Sequence, residues 1–153
     1  MTEIKYIKAD ATFPQSEGNI IIPHICNDIG AWGKGFVLAL SKRWKAPEKQ
    51  YKLWYQEKEG FVLGAVQFVQ VEENIWVGNI IGQHKIQEEK GIPPIRYEAV
   101  REGIRKGCLF CPREAGLCTN ASYRLWFSGR YMGENSPYHR RNLTYKAYTS
   151  HCM

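Results

Sequence analysis

Hydrophobic positions in the first two thirds of the chain follow the periods of strands and helices. Residues 4–8 alternate in a way that predicts a short strand, and residues 19–25 form an isoleucine-rich run that is apolar on both faces, as a central buried strand requires. Residues 61–71 and 74–81 predict two further strands, separated by an acidic turn. The pattern therefore predicts four strands in this part of the chain.

Three amphipathic helices are predicted among these strands. The first carries an apolar stripe at i, i+4 and i+8, formed by Phe36, Leu40 and Trp44. The second has Pro47 in its first turn, and the third begins at residue 95 or 96, after a pair of prolines. Because strands and helices alternate along the chain, the sequence predicts an α/β fold.

The length of the chain and the absence of long apolar runs limit the classes of protein to consider. A chain of 153 residues is long enough for one domain and too short for two. It has no apolar run near the roughly 18 residues that a membrane helix needs, and its N-terminus lacks the apolar segment of a secretory signal. We therefore expect a cytoplasmic location and no membrane partner.

The positive charge is unevenly distributed. The formal net charge is +6. Residues 1–106 hold 15 Lys or Arg against 13 Asp or Glu, whereas residues 107–153 hold 6 against 2. A nucleic-acid-binding face usually shows clustered basic residues, and the first part of the chain is nearly balanced. We therefore do not expect nucleic acid as a partner.

A glycine-rich loop, Asp28 to Gly35, joins the buried strand directly to the first helix. Glycines let the backbone turn tightly and approach a ligand, and the N–H groups at a helix start point towards an anion. The loop lacks the Ser or Thr of a P-loop and the spacing of a dinucleotide fingerprint. The loop is therefore a candidate for phosphate binding of another type, and its spacing alone is equally typical of a simple connecting loop.

Three polar residues lie near the predicted strand ends. His24 and Asn27 flank the end of the buried strand, where ligands of open α/β sheets usually bind. Asp10 ends the first strand and could accept a hydrogen bond from an adenine amino group. A core histidine and a solvent-facing turn aspartate are the structural alternatives for His24 and Asp10.

Taken together, these segments resemble the macro domain family, in particular the branch that includes ADP-ribose 1''-phosphatases. The segments that carry the resemblance are Ile7 to Thr12, Pro23 to Phe36, Asn79 to His84 and Pro94 to Ala99. The resemblance implies a three-layer α/β/α macro domain with a mixed β-sheet. Its core comprises residues 1–106, and ADP-ribose or an ADP-ribose derivative lies across the strand ends.

The resemblance also implies roles for single residues, without a metal or other cofactor. It implies that Asp10 contacts the adenine, that the Gly33 to Gly35 loop contacts the diphosphate, and that His24 and Asn27 assist hydrolysis at the distal ribose by proton transfer and by orienting water. The ligand-binding residues that it implies besides Asp10 are Ala11, Gly30, Trp32, Gly33, Lys34, Gly35 and Phe36. The implied reaction is that of an ADP-ribose 1''-phosphatase or an ADP-ribosyl hydrolase. A non-catalytic ADP-ribose-binding module and an inactive truncated macro domain are the alternatives.

Residues 107–153 depart from this pattern. Isoleucine and valine number 21 in residues 1–106 and none in residues 107–153. At the earlier rate about nine would be expected, and these residues build α/β cores. The family's second phosphate loop, roughly PRIGCGLAGG, its late helix and its last strand are not recognisable there. We therefore expect the C-terminal strands and helix to be missing or corrupted.

A one-base frameshift explains this segment. Codons for residues 122–129 can be chosen that encode RIGCGLA when they are read one base further on. Some positions leave no choice of codon: Met132-Gly133 forces a tryptophan, and Trp126-Phe127 forces a glycine. We therefore interpret residues 107–153 as an aberrant segment, with the change of frame near residues 106–108.

A zinc site is the competing interpretation of this segment. Its soft ligands would be Cys108, Cys111, Cys118, His151 and Cys152. A single CxxC without a second, well-spaced pair is a weak signal, and in a frameshifted segment these cysteines would be accidental. We therefore predict no metal site.

Overall fold

The computed structural model describes residues 10–14 and 17–107 in full, together with the backbone of residues 4–8, 108, 123–128 and 144–149. The strands are β1 (Ile4–Lys8), β2 (Asn19–Asn27), β3 (Val66–Glu72), β4 (Ile75–Gln83), β5 (Tyr123–Ser128) and β6 (Thr144–Thr149). The helices are α1 (Phe36–Arg43), α2 (Ala46–Glu57) and α3 (Tyr97–Cys108).

The strands form one mixed sheet in the order β1-β6-β5-β2-β4-β3. Strand β2 runs parallel to both of its neighbours, β4 and β5. Strand β3 is antiparallel to β4, and β6 is antiparallel to both β1 and β5. The isoleucine-rich run predicted as a central buried strand is therefore confirmed as β2, and the predicted α/β fold with a mixed sheet is confirmed.

Helices cover both faces of the sheet, which gives three layers. On one face, Ile20 and Ile22 of β2 share a buried cluster with Phe36 and Leu40 of α1 and Tyr51 of α2. The side chains that point the other way pack against α3. There, the contacts are close because glycines remove the intervening side chains: Gly103 of α3 lies against Ile80, and Gly82 of β4 lies against Val100.

Several predicted boundaries are wrong by a few residues. Helix α3 begins at Tyr97 because Ile95 pairs with Gln83 and the Arg96 N–H donates to the Gly82 carbonyl at 2.8 Å. Strand β3 begins at Val66 because the chain turns at Gly64, whose φ is +88°. Helix α1 ends at Arg43, and Trp44, with extended backbone, follows it.

Strands β5 and β6 lie within the segment for which missing or corrupted strands were expected. Their backbone pairs with β2 and β1, so the expectation of missing strands is wrong for these two elements. The sequences YRLWFS and TYKAYT are rich in aromatic residues and threonine, which favour strands even without Ile or Val. The expected late helix lies outside the described residues.

No helix in the described part of the chain is long and apolar enough to cross a membrane.

Candidate functional site

The glycine loop leaves the sheet at the carboxyl end of β2. A shift in the β2–β4 register between Cys26 and Asn27 marks this point. Residues 28–35 then cross to the first residue of α1, Phe36. The carboxyl end of β4 lies beside the loop, because the Asp28 N–H donates to the Gln83 carbonyl at 2.9 Å. The loop, the start of α1 and the ends of two parallel strands therefore meet at one sheet edge.

Asn27 holds the loop in shape through both atoms of its amide. Its Oδ1 accepts hydrogen bonds from the backbone N–H groups of Ile29 at 3.1 Å and Ala31 at 2.9 Å, and its Nδ2 donates to the Ala31 carbonyl at 2.8 Å. The Tyr51 hydroxyl lies 2.9 Å from the same Oδ1 and 2.7 Å from the Asn27 carbonyl. The Oδ1 of the buried Asn27 side chain is therefore engaged inside the protein, and one N–H of its Nδ2 is bound to the loop backbone.

Two glycines of the loop have opposite surroundings. Gly30 has a φ of +74°, and a Cβ at this position would lie 2.4 Å from Cδ1 of the Tyr55 ring. A side chain there is therefore excluded both by the backbone conformation and by contact with α2. At Gly33, a Cβ would meet nothing within 4 Å. The loop therefore rests on an aromatic ring at Gly30 and faces open space at Gly33.

The other predicted loop residues divide into buried and exposed ones. Trp32 and Phe36 belong to the core, and Trp32 Nε1 donates to Ser41 Oγ at 2.8 Å. Lys34 is exposed, and no ion pair joins it to the residues that the structure describes. Gly35, with a φ of +87°, turns the chain into α1. Trp32 and Phe36 therefore anchor the loop, while Gly33 and Lys34 face outward.

His24 lies beneath the loop and is only 3% exposed. Its Nε2 lies 2.5 Å from Asn79 Oδ1, and the edge of the imidazole packs on Trp32 with the ring centroids 5.3 Å apart. Asn79 Nδ2 already donates to the Pro47 carbonyl and to Gln67 Oε1, so the proton of the first contact must lie on His24 Nε2. Burial lowers the His24 pKa to about 4, despite the hydrogen bond to Asn79. His24 is therefore neutral and shielded, a placement that does not support proton transfer to a ligand.

Asp10 lies in an exposed turn after β1. Its Oδ1 accepts hydrogen bonds from the Thr12 N–H at 2.9 Å and from Thr12 Oγ1 at 2.8 Å. Its Oδ2 accepts none from the described residues. The neighbouring Ala11 is buried in the same cluster as Trp32 and Phe36, so the turn is attached to the core that supports the loop. Within the described part of the chain, Asp10 therefore has one carboxylate oxygen without a donor.

Comparisons with known proteins identify the family. A protein from Bacteroides thetaiotaomicron with a crystal structure is 60% identical; the match covers 67% of this chain and 68% of that one, with a TM-score of 0.66. A macrodomain protein from Streptomyces coelicolor is 47% identical; the match covers 77% of this chain and 74% of that one, with a TM-score of 0.62. The chain belongs to the macrodomain family.

More distant comparisons agree with this assignment. Chromodomain-helicase-DNA-binding protein 1-like from Danio rerio is 32% identical to this macrodomain over 69% of the chain, a match that covers 11% of the relative. The chain thus spans about a tenth of the length of the curated relatives that it matches. The macrodomain of Mycobacterium tuberculosis DarG, at 16% identity and a TM-score of 0.51, shares the fold. No family model matches the chain.

The macrodomain has a polar junction that the sequence analysis did not assign. Asp28 Oδ2 lies 2.6 Å from His84 Nδ1, and Asp28 Oδ1 accepts the Lys85 N–H at 2.7 Å. Burial opposes ionisation of Asp28, but the hydrogen bonds from Lys85 and His84 and the charge of His84 hold its pKa below the usual value. Asp28 and His84 each lie a few residues after a predicted strand, and this position was the available signal.

The residues of the competing zinc interpretation, which are the Cys108 side chain and the other four ligands, lie outside the described residues. Within the part of the chain that is described, no group of three or more His, Cys, Asp and Glu side chains is placed to hold a metal ion.

Proposed function

We propose that this macrodomain binds ADP-ribose across the carboxyl ends of its parallel strands. The observation that carries the proposal is the glycine loop, which Asn27 holds in shape from below and which is open above Gly33. Because backbone N–H groups near a helix start attract anions, this loop suits the diphosphate. Lys34, exposed and without an ion pair among the described residues, would add positive charge there.

The adenine would lie at Asp10. Its Oδ2, which has no donor among the described residues, would accept from an exocyclic amino group, while Oδ1 keeps the turn in place through Thr12. Ala11, Gly30, Trp32, Gly35 and Phe36 would act mainly by shaping and supporting this surface, because most of them are packed beneath it. The ligand would thus be recognised at two ends, a carboxylate for the base and a glycine loop for the diphosphate.

Hydrolysis of an ADP-ribose derivative is the second part of the proposal. Among the predicted catalytic residues, Asn27 would act through the shape of the loop, since its amide bonds to the loop backbone, and the buried His24 would have a structural role. Phosphate release from ADP-ribose 1''-phosphate distinguishes a phosphatase from a module that only binds ADP-ribose. In the case of a phosphatase, Asn27→Ala should abolish the release.

Gly33 provides the test of binding. A glutamate at this position has room, so Gly33→Glu should leave the thermal unfolding midpoint unchanged while its charge repels the diphosphate. We expect the dissociation constant of ADP-ribose, measured by calorimetry, to rise about tenfold or more.

Gln56→Glu is the matched control, since it adds the same charge at an exposed position of α2. It should bind as the unmodified protein does. Equal affinity of the Gly33→Glu and Gln56→Glu variants would contradict the proposed position of the diphosphate, and the absence of ADP-ribose binding by the unmodified chain would refute the function itself.

We also propose that a change of reading frame near residues 106–108 separates the macrodomain core from an aberrant segment at 107–153. The absence of Ile and Val after residue 106 supports this. So does the limited extent of the similarity, because a match at 60% identity covers only 67% of the chain. On this proposal, the late helix and second phosphate loop are encoded in the alternative frame.

A further inference from the structure

Asp28 and His84 form a carboxylate–imidazole pair at the sheet edge that carries the glycine loop. Asp28 is the first residue after β2, and His84 is the first residue after β4. Besides their 2.6 Å contact, the Asp28 N–H donates to the Gln83 carbonyl at 2.9 Å, so the two strand ends are held together. The pair therefore lies beside the proposed ligand site, although 56 residues separate its members in the sequence.

The pair fixes which nitrogen of His84 carries a proton. The lowered pKa of Asp28 makes it a carboxylate, which has no proton to donate. The hydrogen between Asp28 Oδ2 and His84 Nδ1 therefore belongs to Nδ1. In the neutral ring the lone pair then lies on Nε2, the nitrogen that faces away from Asp28. This is the arrangement by which a buried or half-buried carboxylate orients a histidine base.

The Nε2 atom is accessible to a reactant. The His84 side chain is 37% exposed, and Nε2 has no hydrogen-bond partner among the described residues. The charged group that faces it is Glu89, whose Oε2 is 3.9 Å away, beyond hydrogen-bond distance. Glu89 is itself paired with Lys85 Nζ through its other oxygen, Oε1. A bound molecule or a water can therefore reach Nε2.

We propose that Asp28 and His84 are an acid–base dyad for hydrolysis at the distal ribose, an inference that rests on the proposed function. With ADP-ribose 1''-phosphate, His84 Nε2 takes a proton from water as the water oxygen bonds to phosphorus. The bond between phosphorus and the ribose oxygen breaks, and the imidazolium returns the proton to that oxygen. The products are ADP-ribose and inorganic phosphate, and Asp28 stabilises the transient imidazolium.

His84→Asn tests the dyad in the full 153-residue chain. The asparagine amide can occupy the place of Nδ1 and still donate to Asp28, but it offers no base at the position of Nε2. We expect phosphate release from ADP-ribose 1''-phosphate to fall about 100-fold, while the affinity for ADP-ribose changes less than about twofold.

Lys90→Asn is the control, because it changes an exposed residue of the same loop outside the dyad and should alter neither rate nor affinity. Retention of the full rate by His84→Asn would overturn the dyad. Binding of ADP-ribose without phosphate release by the unmodified protein would also overturn it, yet would leave the binding proposal intact. Failure to bind ADP-ribose would refute the proposed function.

A measurement without substrate tests the pair directly. Nitrogen-15 NMR of the imidazole should show a proton on His84 Nδ1 at neutral pH. In Asp28→Asn this preference should be lost, because the amide can donate as well as accept. A proton on Nε2 in the unmodified protein would overturn the assignment, whatever the outcome of the binding experiment.

Discussion

Buried and half-buried polar side chains form a row across the sheet beneath the glycine loop. His24, Asn79 and Gln67 are direct cross-strand neighbours on β2, β4 and β3. Asn79 accepts from His24 and donates to Gln67 Oε1, and Gln67 Nε2 donates to the Gln50 carbonyl of α2 at 3.1 Å. Burying a polar group without a hydrogen-bond partner costs free energy, so each side chain of this row requires the neighbour to which it is bonded.

The His24 imidazole makes stability depend on pH. Its pKa is about 4 in the folded protein and about 6.5 in the unfolded chain. The unfolded state therefore binds more protons at His24 between these values, so the contribution of His24 to the free energy of unfolding rises with pH from about 4 to about 6.5 and is then constant. The difference between the two pKa values corresponds to a change of about 3 kcal/mol in the free energy of unfolding. Urea unfolding at several pH values measures it.

His24→Gln is the informative variant, since glutamine keeps an N–H donor for Asn79 but does not titrate. The pH dependence in this range should decrease by about 3 kcal/mol. His84→Asn, at a half-buried histidine outside this row, should preserve the pH dependence due to His24. An unchanged pH dependence in His24→Gln would show that His24 is not its source.

Some of the candidate site residues could be recognised from residue type alone, and others could not. The types of Asp10, Gly33 and Lys34 suggested a ligand site, and the structure leaves all three exposed. The burial of His24 and the engaged amide of Asn27 depend on Tyr51 and Asn79, which are distant in the sequence. The Asp28–His84 pair depends on the β2–β4 register in the same way. Such pairings follow from tertiary structure, which local periodicity does not encode.

At the scale of elements, the glycine loop and α2 behave as one unit. Tyr51 bonds to Asn27 from one turn of α2, and the Tyr55 ring supports Gly30 from the next. The same Tyr55 ring also contacts a cation, because Lys58 Nζ lies 3.1 Å from the ring centroid. The sequence predicted both elements from their patterns, but not this contact, because it depends on the angle at which α2 returns to the sheet.

Gly30→Ala should disturb the loop through this contact. The new methyl group would meet the Tyr55 ring in addition to the strain of a positive φ, so we expect a loss of stability of about 2–4 kcal/mol and weaker ADP-ribose binding. Chemical unfolding and calorimetry measure the two effects.

Gly60→Ala separates the two causes. Gly60 also has a positive φ, +64°, but a Cβ there meets nothing within 4 Å. Only the backbone strain should therefore act in Gly60→Ala, and we expect it to lower the stability by about 1–2 kcal/mol. Tyr55→Ala should reduce the additional cost of Gly30→Ala in a double-mutant cycle. Equal effects at Gly30 and Gly60 would indicate that the ring does not constrain the loop.

At the scale of the whole molecule, the sheet depends on both parts of the chain. Strands β5 and β6 lie between β2 and β1, so the segment at 107–153 contributes the interior of the sheet rather than an appendage. The sequence predicted the first four strands from their Ile and Val content. It did not predict β5 and β6, because this content falls to zero where they lie.

The proposed change of frame affects the segment that contains β5 and β6, in the interior of the sheet. We expect the DNA across the codons for residues 96–113 to contain a lost or gained base relative to a continuous macrodomain reading frame. A confirmed present frame together with a closed alternative frame would refute the proposal and would make the cysteines of this segment worth a zinc analysis.

Restoring the frame should also stabilise the protein. The restored late helix and last strand would bury several large apolar side chains, each worth roughly 1.5–3 kcal/mol, whereas the total stability of a domain is about 5–15 kcal/mol. We therefore expect the 153-residue chain to unfold at lower urea concentration and less cooperatively than the restored chain, and to bind ADP-ribose more weakly. A cooperative transition with micromolar affinity for ADP-ribose in the present chain would show that its own β5 and β6 suffice to complete the sheet.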